Sequence, residues 1–169
     1  MTLEALETAQ RLLRGSDVDW YRGFFREGGR HKDEELCRDE IIKMLRTIGN
    51  SLQYIPENHV ADDKRVDIVA HAHERLILPI EIKGQWHPEL WAAADKQLDH
   101  LYVNDWRAER GIYLVLWFGE DAMIPNPPDG RPKPTTAPEL RDALHAMSKA
   151  AVAGRVDVVV LDVTRPSTI

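Results

Sequence analysis

Two short runs rich in β-branched residues lie close together in the chain, and they constrain its fold more than any other feature. The first run is Arg65–Ala70 and the second is Leu76–Lys83, with a short polar segment between them. Runs of this length, bounded by polar residues, are typical of β-strands. Because successive side chains of a strand point to opposite faces, Glu81 and Lys83 project from the same face of the second strand. Asp67 brings another carboxylate to the neighbouring strand.

The combination of two carboxylates and a lysine predicts a cation site. Mg²⁺ takes one or two carboxylates from a protein and leaves its other positions to water and phosphate oxygens. An ammonium group two residues beyond the second carboxylate can hold an attacking water or offset charge that develops on phosphorus. Asp67, Glu81 and Lys83 therefore outline a site that cuts phosphodiester bonds. The alternative interpretation is a solvated ion pair, which is common for an acid and a lysine two residues apart on a strand.

A helix predicted over residues 32–48 offers a third acid. Its apolar stripe is formed by Cys37, Ile41, Met44, Leu45 and Ile48. Glu34 falls on this stripe, whereas Glu35 and Glu40 point further away, so Glu34 is the first candidate to join the site and Glu40 the second. An acid at a helix N-terminus is also favoured by the helix dipole alone, and both interpretations of Glu34 stay open.

A helix predicted from Pro88 to Tyr102 offers an amide. Its buried face consists of Leu90, Ala94, Leu98 and Leu101. Gln97 lies on the flank of that face, so its amide points towards the sheet and needs hydrogen-bond partners there.

The remaining segments place the chain in the α/β class. The almost wholly apolar run Gly111–Gly119 predicts a central strand covered on both faces. Before the two runs we expect an N-terminal helical pair, with a second helix capped by Ser16 or Asp17. A strand over Leu52 to Ile55 follows, which Pro56 breaks, and continuation of this strand over Glu57 to Val60 stays open. After the central strand we expect a proline-rich loop to Thr136, a helix from Pro138 to about Ala153, and a strand over Val156 to Val163.

These residues resemble the restriction-endonuclease-like superfamily, whose signature is written PD-(D/E)xK. Asp67 matches the first acid, and Glu81-Ile82-Lys83 matches the second acid and the lysine, although Val66 stands where the signature has proline. The segment Gln97–Tyr102 is similar to a Gln-plus-Tyr element of one branch, with a spacing one residue longer. The match covers residues 32 to 118 and implies an αβββαβ core within a domain over 31–169, preceded by a helical extension over 1–30.

The resemblance also implies roles for the site residues. Asp67 and Glu81 would hold Mg²⁺, or Mn²⁺ as a substitute, with the assistance of Glu34. Lys83 would position or activate a water molecule, and Gln97 would orient the group.

The implied activity is a Mg²⁺-dependent DNA endonuclease. Small domains with the segments Lys64–Val69 and Pro79–Lys83 resemble effector domains of larger bacterial proteins, including defence NTPases. A partner domain or protein would supply recognition or NTP hydrolysis, because the sequence has no Gly-x-x-x-x-Gly-Lys-Ser/Thr loop, and a homo-oligomer is a further expectation. The alternatives are a catalytically inactive module for assembly or nucleic-acid docking, and an RNA nuclease.

The net charge bears on the expected partner. The 169 residues carry a formal charge of −6, whereas a domain that binds nucleic acid by itself usually presents a basic face. A local basic patch is one expectation, and delivery to nucleic acid by other domains or by oligomerisation is the preferred one. The six residues that would form the patch are Arg22, Arg26, Arg30, Lys32, Arg131 and Lys133.

The expected compartment is a reducing cytoplasm. A single cysteine, Cys37, excludes an internal disulfide framework. The acidic, amphipathic N-terminus does not resemble a signal peptide, and no apolar run approaches the ~20 residues that span a bilayer. We therefore expect no association with a membrane.

Overall fold

A five-stranded mixed sheet organises the protein, and the α/β class predicted from the sequence is confirmed. The computed structural model describes residues 1–49, 51–59, 65–72, 76–99 and 110–165. The strand order follows the chain, with the first three strands antiparallel and the last three parallel. The strands are β1 Gln53–His59, β2 Arg65–Ala72, β3 Leu76–Gly84, β4 Gly111–Trp117 and β5 Val156–Asp162.

Helices cover both faces of the sheet. The α-helices are α1 Thr2–Gly15, α2 Glu34–Ile48, α3 Ala137–Met147 and α4 Lys149–Val152. Three shorter segments of the described residues are helical in other ways: two 3₁₀ helices, Trp20–Phe24 and Gly119–Asp121, and one π-helical segment, Ala94–Asp99.

The second N-terminal helix is shorter and tighter than predicted. Ser16 and Asp17 do not cap the start of a second helix, because the Ser16 hydroxyl donates to the Val18 carbonyl and the 3₁₀ turn begins only at Trp20. The turn buries Phe24 completely. Aromatic packing therefore determines the conformation here, in place of a helix cap.

The predicted break at Pro56 is wrong. β1 runs through Pro56, which lies opposite Ile68 of β2. Since β1 is the first strand of the sheet, it forms an edge, and an edge strand tolerates proline where the missing N–H would face outward.

Two predicted helices also differ from the observed ones. Residues 88–92 form turns, and the π-helical segment follows, while residues 100–102 lie outside the described residues. The helix predicted over 138–153 divides at Ser148, whose side chain accepts from the Ala151 N–H and begins α4. The predicted hairpin turn at 62–64 also lies outside the described residues.

Each face of the sheet has its own hydrophobic core. One core joins α1, α2 and side chains of all five strands, and includes Leu6, Ile41, Ile68 and Leu161. The other joins the π-helical segment, α3 and α4 to the opposite face. Because α1 buries Leu6, Ala9 and Leu13 in the first core, residues 1–30 and the rest of the chain share one hydrophobic interior.

Among the described residues, no helix combines the length and the apolar character that crossing a membrane requires.

Candidate active site at the fork between β2 and β3

The candidate site lies where β2 and β3 separate. Ile68 and Ile80 are the last paired residues of these two strands, and β3 continues alongside β4 as far as Gly84. Asp67 lies just beyond the last pair, and its Oδ2 accepts a hydrogen bond of 2.7 Å from the Ile82 N–H. A side chain thus replaces a backbone partner at the fork, and this places the Asp67 carboxylate against the segment of β3 that carries Glu81 and Lys83.

Lys83 lies among carboxylates from two elements. Its Nζ donates to Glu81 Oε1 at 2.7 Å and lies 3.8 Å from Glu34 Oε2. Glu34 also accepts from the Gly84 N–H at 2.9 Å through its other oxygen, so the first turn of α2 is attached to the end of β3. Glu81 and Lys83 are buried, with 5% and 6% of their surfaces exposed.

Of the three acids considered on α2, Glu34 is the one beside Lys83. The side chain of Glu35 is 74% exposed and lies 3.9 Å from Arg38. Glu40 pairs with Lys32 at 3.3 Å and with Lys43 at 3.6 Å. The geometry therefore favours Glu34 over Glu35 and Glu40 as the helix acid of this cluster.

The electrostatics follow from placing three acids around one buried ammonium. Burial raises the pKa of Glu81 to about 7, and the neighbouring Asp67 and Glu34 carboxylates add to the rise, while Lys83 opposes it. Burial lowers the pKa of Lys83, but Glu81, Asp67 and Glu34 outweigh this effect, so the pKa is raised overall. Lys83 stays charged at neutral pH, and the acids beside it hold more negative charge than it neutralises.

Tyr113 forms the neighbouring wall of the cluster. It lies opposite Glu81 in the register of β3 and β4, and its hydroxyl donates to the Leu90 carbonyl at 2.7 Å. Burial and then the charges of Glu81 and Glu34 raise the pKa of this phenol. Tyr113 is therefore a neutral hydrogen-bonding group beside the acids.

The donor set suits a hard divalent cation better than a softer one. Within the described ranges, no three His, Cys, Asp or Glu side chains are already arranged to hold a metal ion. The cluster instead offers carboxylates alone, and Glu81 is protonated more readily than usual because it is buried and because other acids lie close to it. Replacing that proton by Mg²⁺ would relieve the repulsion, and Mg²⁺ needs only one or two protein carboxylates.

Gln97 lies on the π-helical segment, and its proposed role in orienting the site stays a prediction. Its Oε1 is buried and has no hydrogen-bond partner among the described residues, and the amide forms no hydrogen bond to Lys83. A buried acceptor without a donor is uncommon and needs an explanation, such as a water molecule or a ligand that donates to it.

Gln85 is a buried polar residue near the site that the sequence did not single out. Its Nε2 donates to the carbonyls of Gly119 and Ala122 at 2.9 and 2.6 Å, and its Oε1 accepts from the Phe118 N–H at 2.6 Å. These bonds join the end of β3 to the end of β4. The only sequence signal was a glutamine placed directly after a strand that ends in glycine.

Trp86 packs against other aromatic rings next to the site. It stacks on His31, with ring centroids 3.8 Å apart, and meets Phe118 edge-on at 5.3 Å. The Trp86 ring also covers Gly84, where any side chain would overlap it. This stack joins the segment before α2 to the end of β3.

The predicted basic patch is largely neutralised. Four of its six residues form ion pairs with nearby acids: Arg22 with Asp19, Arg26 with Asp33, Lys32 with Glu40 and Arg131 with Asp129.

Comparison with known proteins identifies a family but not an activity. A family described as a domain of unknown function, DUF8371, matches residues 2–120. This range contains α1, α2, β1 to β4 and the whole acid cluster, whereas α3, α4 and β5 lie beyond it. No curated protein and no solved structure matches the chain.

Proposed function

This chain belongs to the DUF8371 family, and we propose that it is a Mg²⁺-dependent nuclease that hydrolyses phosphodiester bonds, with DNA as the favoured substrate. The observation that carries the proposal is the position of Lys83, buried between Glu81 and Glu34 with Asp67 just across the fork. Burying charged groups is costly, and an excess of carboxylates raises that cost. Such a cluster is expected where the charges serve to bind a cation.

The proposed mechanism gives each residue a separate task. Asp67 and Glu81 would hold the metal with Glu34 at its side, and the bound ion would supply Lewis-acid assistance to a phosphate oxygen. Lys83 would hold the attacking water or offset charge on the phosphate, from a position that Glu81 and Glu34 fix through their contacts with its Nζ. Gln97 has a buried acceptor that suits a donor such as a bound water molecule.

The fold proposed with this function is the restriction-endonuclease-like core. The order α2, β1, β2, β3, the π-helical segment and β4 supports an αβββαβ arrangement, with the acids on adjacent strands and the helix acid at the N-terminus of α2.

We also propose that the chain acts as an effector domain within a larger bacterial defence protein. The acidic net charge and the paired arginines support this setting, because the described surface offers little free positive charge to hold nucleic acid. A partner domain or protein would then bring the substrate to the site.

The direct test is cleavage of supercoiled plasmid with Mg²⁺ or Mn²⁺. We expect Asp67→Asn, Glu81→Gln and Lys83→Ala each to slow cleavage by about a hundredfold or more, as loss of a group that stabilises transition-state charge does. Glu34→Gln should slow it less, and Glu35→Gln, one residue along the same helix, should leave it unchanged. Equal cleavage by the wild type and the Lys83 and Asp67 variants would exclude this site.

A parallel measurement separates metal binding from catalysis. Mn²⁺ should raise the unfolding temperature of the wild type, because a ligand that binds only the folded state stabilises it. The shift should disappear in Asp67→Asn and persist in Glu35→Gln. Absence of a shift in the wild type would contradict the proposed metal site whether or not a substrate had been found.

The second candidate function is a catalytically inactive module for assembly or nucleic-acid docking. It is favoured by the direct contact between Lys83 and Glu81 and by the lack of a ready three-ligand group among the described residues. Binding of labelled DNA or RNA without cleavage, and without a Mn²⁺ shift, would support it. Cleavage of labelled single-stranded RNA in preference to DNA would instead identify an RNA nuclease.

A further inference from the structure

Among the described residues, the outer edge of β5 is open along most of its length. β5 is the last strand of the sheet and pairs only with β4 among the described strands. The Gly111 N–H donates to the Arg155 carbonyl, and the Val163 N–H donates to the Trp117 carbonyl. Odd-numbered residues of β5 therefore direct their backbone groups towards β4, and even-numbered residues direct theirs outward.

One outward position is already closed by a side chain. The Gln10 amide of α1 accepts from the Asp162 N–H at 2.7 Å and donates to the Asp162 carbonyl at 3.2 Å. A single side chain thereby makes the two bonds that a neighbouring strand would make. Val158 and Val160, the even-numbered residues before Asp162, have no such partner among the described residues.

The edge opens into a groove of about 560 Å³. Leu3, Leu6 and Glu7 of α1 form one wall, Arg141 and His145 of α3 form the other, and Val156–Leu161 forms the floor. The groove also contains the Arg110–Asp157 pair, so charges of both signs are present in it. Two copies of this face would not repel each other through a single dominant charge.

Apolar side chains lie exposed on the helices that border this edge. Leu3 of α1 is 37% exposed, and Val152 at the end of α4 is 65% exposed. An open valine-rich edge flanked by exposed apolar residues is a template for pairing with another strand, and proteins usually block such edges. In the part of the chain that the structure describes, Gln10 at Asp162 provides the block.

We infer that β5 joins two copies of this chain in an antiparallel pair, with the two-fold axis at Val159. In this register Val158 of one copy lies opposite Val160 of the other, and each such pair exchanges two backbone hydrogen bonds. The two symmetry-related pairs make four bonds, so the outward N–H groups of Val158 and Val160 each meet a carbonyl on the same edge of the partner. The next pair outward would be Val156 with Asp162, which Gln10 closes, so the contact ends there.

The oligomeric state of the full chain tests the inference. Sedimentation at increasing concentration should show a dimer for the wild type. Val160→Pro removes the outward N–H from each copy, leaves the bonds to β4 intact, and should weaken association roughly thirtyfold or more. Val160→Thr keeps the N–H and the branched side chain, and should remain dimeric.

Disulfide cross-linking tests the register and does not depend on the proline variant folding. The two-fold axis sets the Val159 residues directly opposite each other, at a separation compatible with a disulfide. Under mild oxidation Val159→Cys should form a covalent dimer, and Val158→Cys should not. The native Cys37 is buried and should stay unreacted in both variants.

A wild type that stays monomeric at all concentrations would overturn the inference, as would equal cross-linking of the two cysteine variants. A dimer that survives Val160→Pro with the fold intact would show that a different surface is used. A monomer that binds an unrelated extended peptide at this edge would also overturn it, and would identify another occupant.

Discussion

Glu81 is only 5% exposed, and the charged groups that act on its carboxyl are Asp67, Lys83 and Glu34. Its pKa of about 7 lies above the ordinary value of 4.5, so the folded protein holds a proton that the unfolded chain releases between these two values. A raised acid pKa therefore lowers stability as the pH rises through this interval. The sign is opposite to that of an acid stabilised by a salt bridge.

We expect the metal-free protein to lose up to about 3 kcal/mol of unfolding free energy between pH 4.5 and pH 7 because of Glu81. Urea unfolding in EDTA at a series of pH values measures this loss. Glu81→Gln should remove most of the dependence, whereas Glu35→Gln should keep it. A wild type whose stability rises steadily through this interval would show that Glu81 is ionised at an ordinary pKa.

At the scale of single elements, Asp95 connects the π-helical segment to α4. Its carboxylate accepts from the Ser148 hydroxyl at 2.7 Å and from the N–H groups of Lys149 and Ala150 at 3.2 and 3.0 Å. Burial opposes ionisation, but these hydrogen bonds prevail and lower the pKa of Asp95. A carboxylate from one element thus caps the start of another.

Asp95→Ala should cost about 1 to 2 kcal/mol of unfolding free energy at neutral pH, as the loss of a helix cap does. Because its pKa is lowered in the folded protein, the wild type should lose this contribution as the pH falls through the folded-state pKa. Asp142→Ala provides the control, since that acid pairs with Arg141 on an exposed face of α3. An equal effect of the two substitutions on urea unfolding would contradict the capping role.

Gly84 lies at the end of β3, directly under the ring of Trp86. A Cβ at this position would overlap the Trp86 ring, which His31 and Phe118 hold in place. We expect Gly84→Ala to cost about 1 to 3 kcal/mol, as overpacking does, and to shift Trp86 fluorescence. Gly15→Ala, where nothing lies near the added carbon, should not destabilise the protein. Unchanged stability in Gly84→Ala would show that Trp86 moves aside easily.

At the scale of the whole molecule, α1 is part of the main core and is bonded to the last strand through Gln10 and Asp162. Leu6 is 1% exposed, whereas Leu3 on the same helix is 37% exposed. Leu6→Ala should therefore cost about 2 to 5 kcal/mol in a single cooperative transition, and Leu3→Ala should cost far less. Two separate unfolding transitions would show instead that residues 1–30 fold apart from the rest.

The sequence alone was sufficient for features that depend on local periodicity. Alternation along β3 placed Glu81 and Lys83 on one face, and the apolar run before Phe118 predicted the wholly buried strand β4. The class of the fold followed from these strands and from the helical stripe of α2. The roles of Asp67, Glu81, Lys83, Glu34 and Gln97, the Mg²⁺ and the nucleic-acid partner stay predictions.

Only the tertiary structure decided how separate elements meet. The spacing of residues within α2 left both Glu34 and Glu40 as candidates for the helix acid. The packing of α2 against the end of β3 brings Glu34 to Lys83. The continuation of β1 through Pro56 depends on its position at the edge of the sheet, and the closure of Asp162 by Gln10 joins residues 152 positions apart. Local periodicity shows which face a side chain occupies, but contacts between distant elements depend on how those faces pack.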